Sequence, residues 1–316
     1  MNYRTLGRTG LSVSALALGT VELGVEYGIP LPGESGRPTD AEGIRIVHAA
    51  LGGGINFIDT ARAYGESERV LGLALADRRE RVVLASKVAT QRADGSTPTG
   101  DELRRAMLAS LDESLRQLGT DWLDIWQIHN VDGALLAQSE VVADVFAAAK
   151  QTGKVRWTGG SFYGADLPLT ALAYDIFDVM QVTHSVLDQR LADRFFAAAQ
   201  ARNVGVVVRS VLLKGALTER ADHLPPHLQP LIDRSRRFRQ IVADAKVGCS
   251  PAQAAVAFAL ANPAIHAVLV GVRSVEEVND AVQAASLQFP PDLLKRLREL
   301  RLDDEALLNP GTWGIG

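Results

Sequence analysis

Eight short apolar runs, most of them followed by a helical pattern, constrain this sequence more than any other feature. They are 15–18, Ile55–Ile58, Val82–Ser86, Leu123–Ile128, Val155–Thr158, Val179–Val182, Val204–Val208 and Ala267–Val270. Most are continuous rather than alternating, as expected when both faces of a strand are buried in a parallel sheet. Eight such units predict an α/β fold: a single (β/α)8 TIM barrel spanning 1–316, rather than two domains. The rival is a doubly wound open sheet. Against it, no Gly-x-Gly-x-x-Gly follows the first strand, and no linker or short internal repeat divides the chain. With 316 residues, 47% of them hydrophobic, a large core is available.

Between the strands the helix signals are clear. Thr39 to Glu42 reads as a capping box that opens a helix through Leu51, stopped by Gly52-Gly53-Gly54. Leu103, Met107, Leu111, Leu115 and Leu118 recur at helical spacing over Asp101–Leu118. Ser250-Pro251 starts another helix with proline at its first position. Extra helices are expected beyond the eight units, together with an N-terminal β-hairpin over Tyr3–Ser14 that caps one end. Gly24–Pro38 reads as a loop, and Thr218–Arg234 as a long polar insert, either a lid or a solvated excursion. The tail, about 303–316, could cover the mouth of the barrel.

Composition narrows the partners. The net charge of −4 is mild and has no basic run, so nothing recommends nucleic acid. A single cysteine, Cys249, excludes an internal disulfide framework and argues against a zinc site built on thiolates. No apolar run is long enough to span a membrane, and Met1-Asn2-Tyr3-Arg4 leads into polar sequence without a signal-peptide core. A cytoplasmic protein acting on a small molecule is the expectation.

In such a barrel the strand C-termini face one mouth. Here they carry Gly19-Thr20, Asp59, Lys87, His129, Ser161, Gln181, Arg209-Ser210 and Gly271, and Tyr64 follows Asp59 in the next loop. A phenol has an ordinary pKa of about 10, too high for efficient proton transfer at neutral pH. An adjacent ammonium favours the phenolate, so Lys87 would lower Tyr64, while Asp59 would hold Lys87 charged and in place. His129 could orient a carbonyl oxygen. Singly, each has an ordinary explanation: a turn-forming Asp, a solvated Lys, a packing Tyr, a satisfied core His. Together, on consecutive strands, they describe a site that protonates an oxyanion. A metal-dependent barrel hydrolase would need more ligands than Asp59 and His129, so no metal is expected.

Leu6-Gly7-Arg8-Thr9-Gly10-Leu11, Asn56-Phe57-Ile58-Asp59-Thr60-Ala61 with Tyr64-Gly65, Ser86-Lys87, Gln127-Ile128-His129 and Gly271-Val272-Arg273-Ser274 resemble, in order, the aldo-keto reductase superfamily. The resemblance implies a catalytic tetrad of Asp59, Tyr64, Lys87 and His129, with Tyr64 as acid in reduction and base in oxidation. It implies NADP(H), with NAD(H) the alternative, carrying the hydride in an enzyme that interconverts an aldehyde, ketone or sugar and an alcohol. Cofactor contacts would come from Gly19, Thr20, Asp59, Ser161 and Gln181. Further contacts would come from Arg209, Ser210, Val211, Leu212 and Gly215, and from Gly271, Arg273, Ser274, Glu277 and Asp280. Some relatives are instead nicotinamide-binding regulatory subunits with little turnover, the alternative reading.

The pattern also breaks. Phe162 stands where the family usually has an amide-binding Asn, and Arg209 where many members have an aromatic residue under the nicotinamide. A guanidinium there disfavours the positive oxidised ring, or Arg209 turns away to a carboxylate. Arg273 and Ser274 suit a 2′-phosphate, but Glu277 would repel one. Candidates facing substrate are Val21, Asn130, Phe162, Tyr163 and Trp313, the last either folded over the mouth or packed on the barrel.

Overall fold

The computed structural model describes residues 1–33, 36–92 and 94–315. The loop expected over Gly24–Pro38 includes two positions, 34 and 35, that lie outside the described residues, as does 316 at the end of the tail. Ten strands are present among the described residues. β1 (Tyr3–Thr5) and β2 (Ser12–Ser14) form the antiparallel hairpin, with Tyr3 opposite Ser14. The remaining eight are β3 (Leu16–Gly19), β4 (Phe57–Asp59), β5 (Val83–Ala89), β6 (Leu123–His129), β7 (Val155–Ser161), β8 (Val179–Thr183), β9 (Gly205–Arg209) and β10 (Ala267–Gly271). They run parallel in sequence order, and β10 pairs with both β9 and β3, closing the barrel. The (β/α)8 expectation holds.

The barrel interior is layered. Ala17, Phe57, Val83, Ile125, Val179, Val207 and Ala267 form an apolar cluster closed from below by Leu6, which is fully buried in the hairpin turn. That turn needs glycine at position 7: its φ is +49°, and a Cβ there would lie 2.3 Å from the backbone nitrogen of Gly205. The hairpin therefore seals the N-terminal end and leaves the other end for polar groups. Outside the strands, a larger cluster packs them against the helices.

Local signals acted as their chemistry dictates. Thr39 accepts from Glu42 N and Glu42 returns a bond to Thr39 N, starting helix Asp40–Gly52. Ser250 and Gln253 do the same for helix Pro251–Leu260. Two readings need correction. β5 does not stop at Lys87, because Val88 and Ala89 continue the ladder against Ile128 and His129; Lys87 is thus set inside the barrel rather than at its rim. The insert 218–234 is not a solvated excursion. Its Ala221, Leu224, Leu228 and Leu231 are buried in a second apolar cluster, and helix Gln229–Ala245 begins inside it. Apolar residues spaced through a polar segment carried that signal.

Helix Val21–Gly24, which follows β3, packs on the loop that carries Tyr64. A Cβ on Gly24 would sit 1.7 Å from the carbonyl oxygen of Tyr64. Gly24→Ala is therefore expected to displace this loop and cost about 1–3 kcal/mol, the usual penalty of overpacking. Urea unfolding of the variant checks this; an unchanged midpoint would show that the loop yields freely.

Candidate active site

The site grows from one carboxylate. Asp59 ends β4 and is 2% exposed. Its Oδ2 receives the ammonium of Lys87 from β5. Its Oδ1 accepts from Gln127 Nε2 at 2.9 Å and from Gln181 Nε2 at 2.9 Å. Lys87 also donates to the carbonyl of Thr60 at 2.9 Å, and its Nζ lies 3.5 Å from the hydroxyl of Tyr64, the outer limit of a hydrogen bond. The ammonium is also 5.0 Å from the centre of the Tyr64 ring. The ring of His129 meets that of Tyr64 edge-on, with centroids 5.6 Å apart.

The loop between Asp59 and Tyr64 is held by its own brace. Glu68, fully buried, accepts from Ser86 Oγ at 2.6 Å and pairs with Arg62, while Arg62 N donates to the carbonyl of Lys87 at 3.0 Å. Thr20, Thr60 and Ser67 share a hydroxyl chain beside it. A buried carboxylate with two partners is tolerated where an unpaired one is not. The brace fixes the separation of the strand that carries Lys87 from the loop that carries Tyr64.

Burial pushes the Tyr64 phenol above its ordinary value, with Lys87 the main force pulling it back. Lys87 pulls in the expected direction, but desolvation outweighs it, so the net shift is upward and the phenol keeps its proton at neutral pH. For Lys87 burial opposes the charge, yet Asp59 and Tyr64 outweigh it and the ammonium is held above its usual range. His129 is driven down to about 3, first by burial and then by the positive charges of Lys87 and Arg209. It is a neutral imidazole.

A cavity of about 460 Å³ opens on this cluster at the C-terminal mouth, within the range of small-molecule sites. Asp59, Tyr64, His129 and Gln181 line one end; Lys87 lies behind Tyr64. Gly19, Thr20 and Val21 form one wall, and Arg209, Ser210, Val211, Leu212 and Gly215 another. Gly271, Arg273, Glu277 and Asp280 line the far end. Ser274 caps helix Val275–Ala284, accepting from Glu277 N at 3.2 Å. Asn130 and Tyr163 stand at the opening, Asn130 with a φ of +55°.

Among the described residues, Arg209 pairs with no carboxylate. Its guanidinium lies 3.8 Å over the Tyr163 ring and donates to the carbonyl of Phe162 at 3.0 Å and to Ser161 Oγ at 3.3 Å. Ser161 in turn donates to Gln181 Oε1 at 3.4 Å. Two expected substrate contacts are corrected. Phe162 is fully buried away from the cavity, edge-on to Phe177 at 5.4 Å, because its side chain falls on the outer, helix-facing side of the sheet. Trp313 is 1% exposed and packs in the second apolar cluster with Ile29, Val186 and Leu213, so it does not line the mouth. Sequence reasoning assigned no role to Gln127, although its spacing of two from His129 in one strand puts both on the same face. Glu22, Tyr27, Lys214 and Arg220 also line the cavity and carried no signal, since they sit in a loop or in helical turns too short to show periodicity.

A barrel whose mouth joins a phenol, an ammonium and a buried carboxylate at one end of a long cavity has the parts of a carbonyl oxidoreductase. The model of the aldo/keto reductase family matches residues 15–302, and the chain belongs to that family. It is similar to L-galactose dehydrogenase of Arabidopsis thaliana, 31% identical over all of this chain and 98% of that protein. It is also 30% identical to the uncharacterized oxidoreductase YrpG of Bacillus subtilis strain 168, over 95% of this chain and 96% of that one. Among solved structures, the holo form of aldo-keto reductase AKR11C1 from Bacillus halodurans superposes with a TM-score of 0.78 at 25% identity, covering 99% of both chains. The family binds nicotinamide cofactors, and the chain is an oxidoreductase. Among the described residues, no helix is long and apolar enough to cross a membrane.

The two most strongly depressed histidines give a pH dependence of stability. His129 near 3 and buried His184 near 4 both lie below the ordinary 6.5, with burial the leading cause. Their contribution is present above pH 6.5 and is lost as the pH falls, because the unfolded chain then binds more protons. Stability should drop between about pH 6.5 and pH 5 by at most about 1.4 kcal/mol per pH unit for each group. Urea titrations of wild type and His129→Asn check it; identical pH slopes would remove His129 from the account.

Proposed function

We propose that this chain is an NAD(P)(H)-dependent oxidoreductase that interconverts a carbonyl compound (aldehyde, ketone or sugar) and an alcohol. The observation that carries the reading is the Tyr64 hydroxyl, 3.5 Å from a Lys87 ammonium that is itself held by Asp59, on the wall of the cavity. Tyr64 is the general acid. A substrate carbonyl at the mouth meets the phenol O–H and the neutral imidazole of His129, which orients its oxygen. As negative charge builds on that oxygen, Tyr64 gives up its proton, and Lys87 stabilises the phenolate that is left. Asp59 keeps Lys87 charged and fixed throughout. The nicotinamide dinucleotide supplies or accepts the hydride when bound.

The cavity suits such a group. It is elongated and leads away from the phenol between the wall at Gly19–Thr20 and the wall at Ser210–Gly215, with Arg209, Lys214, Arg220 and Arg273 along it. Ser161, Gln181 and Arg209 are the groups we assign to the nicotinamide end, and Gly271, Arg273, Ser274, Glu277 and Asp280 to the adenosine end. A phenol that retains its proton, and a guanidinium unfavourable to an oxidised ring, both favour carbonyl reduction. At the adenosine end Glu277 folds back: its Oε2 accepts from Arg273 N at 2.7 Å, and the two side chains lie 4.0 Å apart. A carboxylate already holding that amide favours NAD(H) over the NADP(H) that the resemblance implies.

Steady-state assays with a panel of aldehydes and ketones, using NADH and NADPH, test the reading. Tyr64→Phe should lower kcat by about 10²–10⁴-fold with cofactor binding kept. Tight cofactor binding without turnover of any carbonyl would instead point to a regulatory nicotinamide-binding protein. Glu277→Gln should improve NADPH binding relative to NADH by about five- to tenfold, the scale of one partly screened charge; an unchanged ratio in fluorescence titrations would place discrimination elsewhere.

A further inference from the structure

One group that lines the cavity has no part in the chemistry above. Glu22 lies in the short helix after β3 and reaches across to the end of β10. A Cβ on Gly271 would lie 2.1 Å from Glu22 Oε1 and 2.4 Å from Oε2, so only glycine leaves room for this carboxyl. Glu22 is half-buried as a residue, but its Oε2 is sealed from solvent and has no hydrogen-bond partner. It also borders a second hollow of about 170 Å³, shared with Tyr27, Gly28, Arg37 and Arg273, and so divides that hollow from the main cavity.

The charged and titratable groups that face Glu22 are Tyr27 from the loop that follows it, Arg273 from the loop after β10, and Glu277 from the next helix. Burial pushes the Glu22 carboxyl up to about 7; Arg273 works against that and Glu277 adds to it. Near neutrality the group is therefore divided between acid and anion. A carboxylate with one oxygen sealed and unpaired is a poor neighbour for a negatively charged dinucleotide, whereas the acid carries no charge and offers an O–H.

We propose that Glu22 takes up a proton from solvent when a nicotinamide dinucleotide enters the cavity, so that cofactor affinity declines as the solution becomes alkaline. The inference rests on the dinucleotide reading of the cavity given above. Only the carboxyl O–H forms in the step, and solvent supplies the proton.

The test is a fluorescence titration of the full chain with NADH from about pH 6 to pH 9, beside Glu22→Gln. NADPH serves as a second probe, because the second ionisation of its 2′-phosphate near 6 works in the opposite direction. In wild type the Kd for NADH should rise about tenfold or more across this range. In Glu22→Gln it should stay near the acidic wild-type value. Should that variant fail to fold, calorimetry of wild type in two buffers of different ionisation enthalpy replaces it, with uptake of about half a proton expected between pH 7 and pH 8. A flat Kd, a slope that survives in Glu22→Gln, or binding without proton uptake overturns the role of Glu22 alone. A folded protein that binds neither dinucleotide at any pH overturns the dinucleotide reading together with it.

Discussion

A carboxylate and an ammonium share the interior of this barrel, and everything at its mouth is arranged around that pair. Burying two opposite charges is unfavourable unless hydrogen bonds complete both. Asp59 meets the condition with the amides of Gln127 and Gln181, and Lys87 meets it with the carbonyl of Thr60. What is left over is one face of the ammonium, turned toward the hydroxyl of Tyr64. The pair thus contributes little as a fastening. It offers a fixed positive charge to one oxygen in a place where water cannot dilute it.

The same dryness decides which way each neighbour ionises. The phenol is held in its protonated form and the imidazole in its uncharged form, both because burial resists charge. The two shifts have different consequences. A neutral His129 can orient a carbonyl oxygen without competing with Lys87 for negative charge. In the proposed reaction a protonated Tyr64 is the donor, and the ammonium acts only as the phenolate develops. Lys87 is therefore better described as a stabiliser of the product of proton transfer than as a group that ionises Tyr64 in advance.

Much of this was legible in the sequence, for identifiable reasons. Continuous apolar runs such as Val204–Val208 need two covered faces, and eight of them need a closed sheet. The polar residues in or just after these runs then turn toward one end of the barrel, which is how Asp59, Lys87, His129 and Gln181 come together from positions scattered across the chain. Side-chain direction and loop contacts were not legible. Phe162 follows a glycine-rich strand end, where no periodicity shows which face it takes. Trp313 sits in a tail that joins the second apolar cluster, whose members, Ile29, Val186 and Leu213 among them, come from distant parts of the chain. Glu22 follows a strand like many surface carboxylates, and only Gly271, nearly the length of the chain away, reveals that it is enclosed. The net direction of the Tyr64 shift was out of reach for a related reason: a neighbouring charge can be guessed from motif spacing, but the depth of burial that outweighs it cannot.

Asp59, Gln127 and Gln181 come from β4, β6 and β8, alternate staves of the barrel, and so they make up one of its filling layers in polar form. Elsewhere in such folds that layer is packed hydrocarbon; here it is a lattice of amides around a carboxylate. The proposed reacting centre is therefore built into the scaffold itself. Divergence among enzymes of this design is channelled outward: a change in the lattice disturbs barrel and chemistry at once, while the loops above it are free to vary what is admitted.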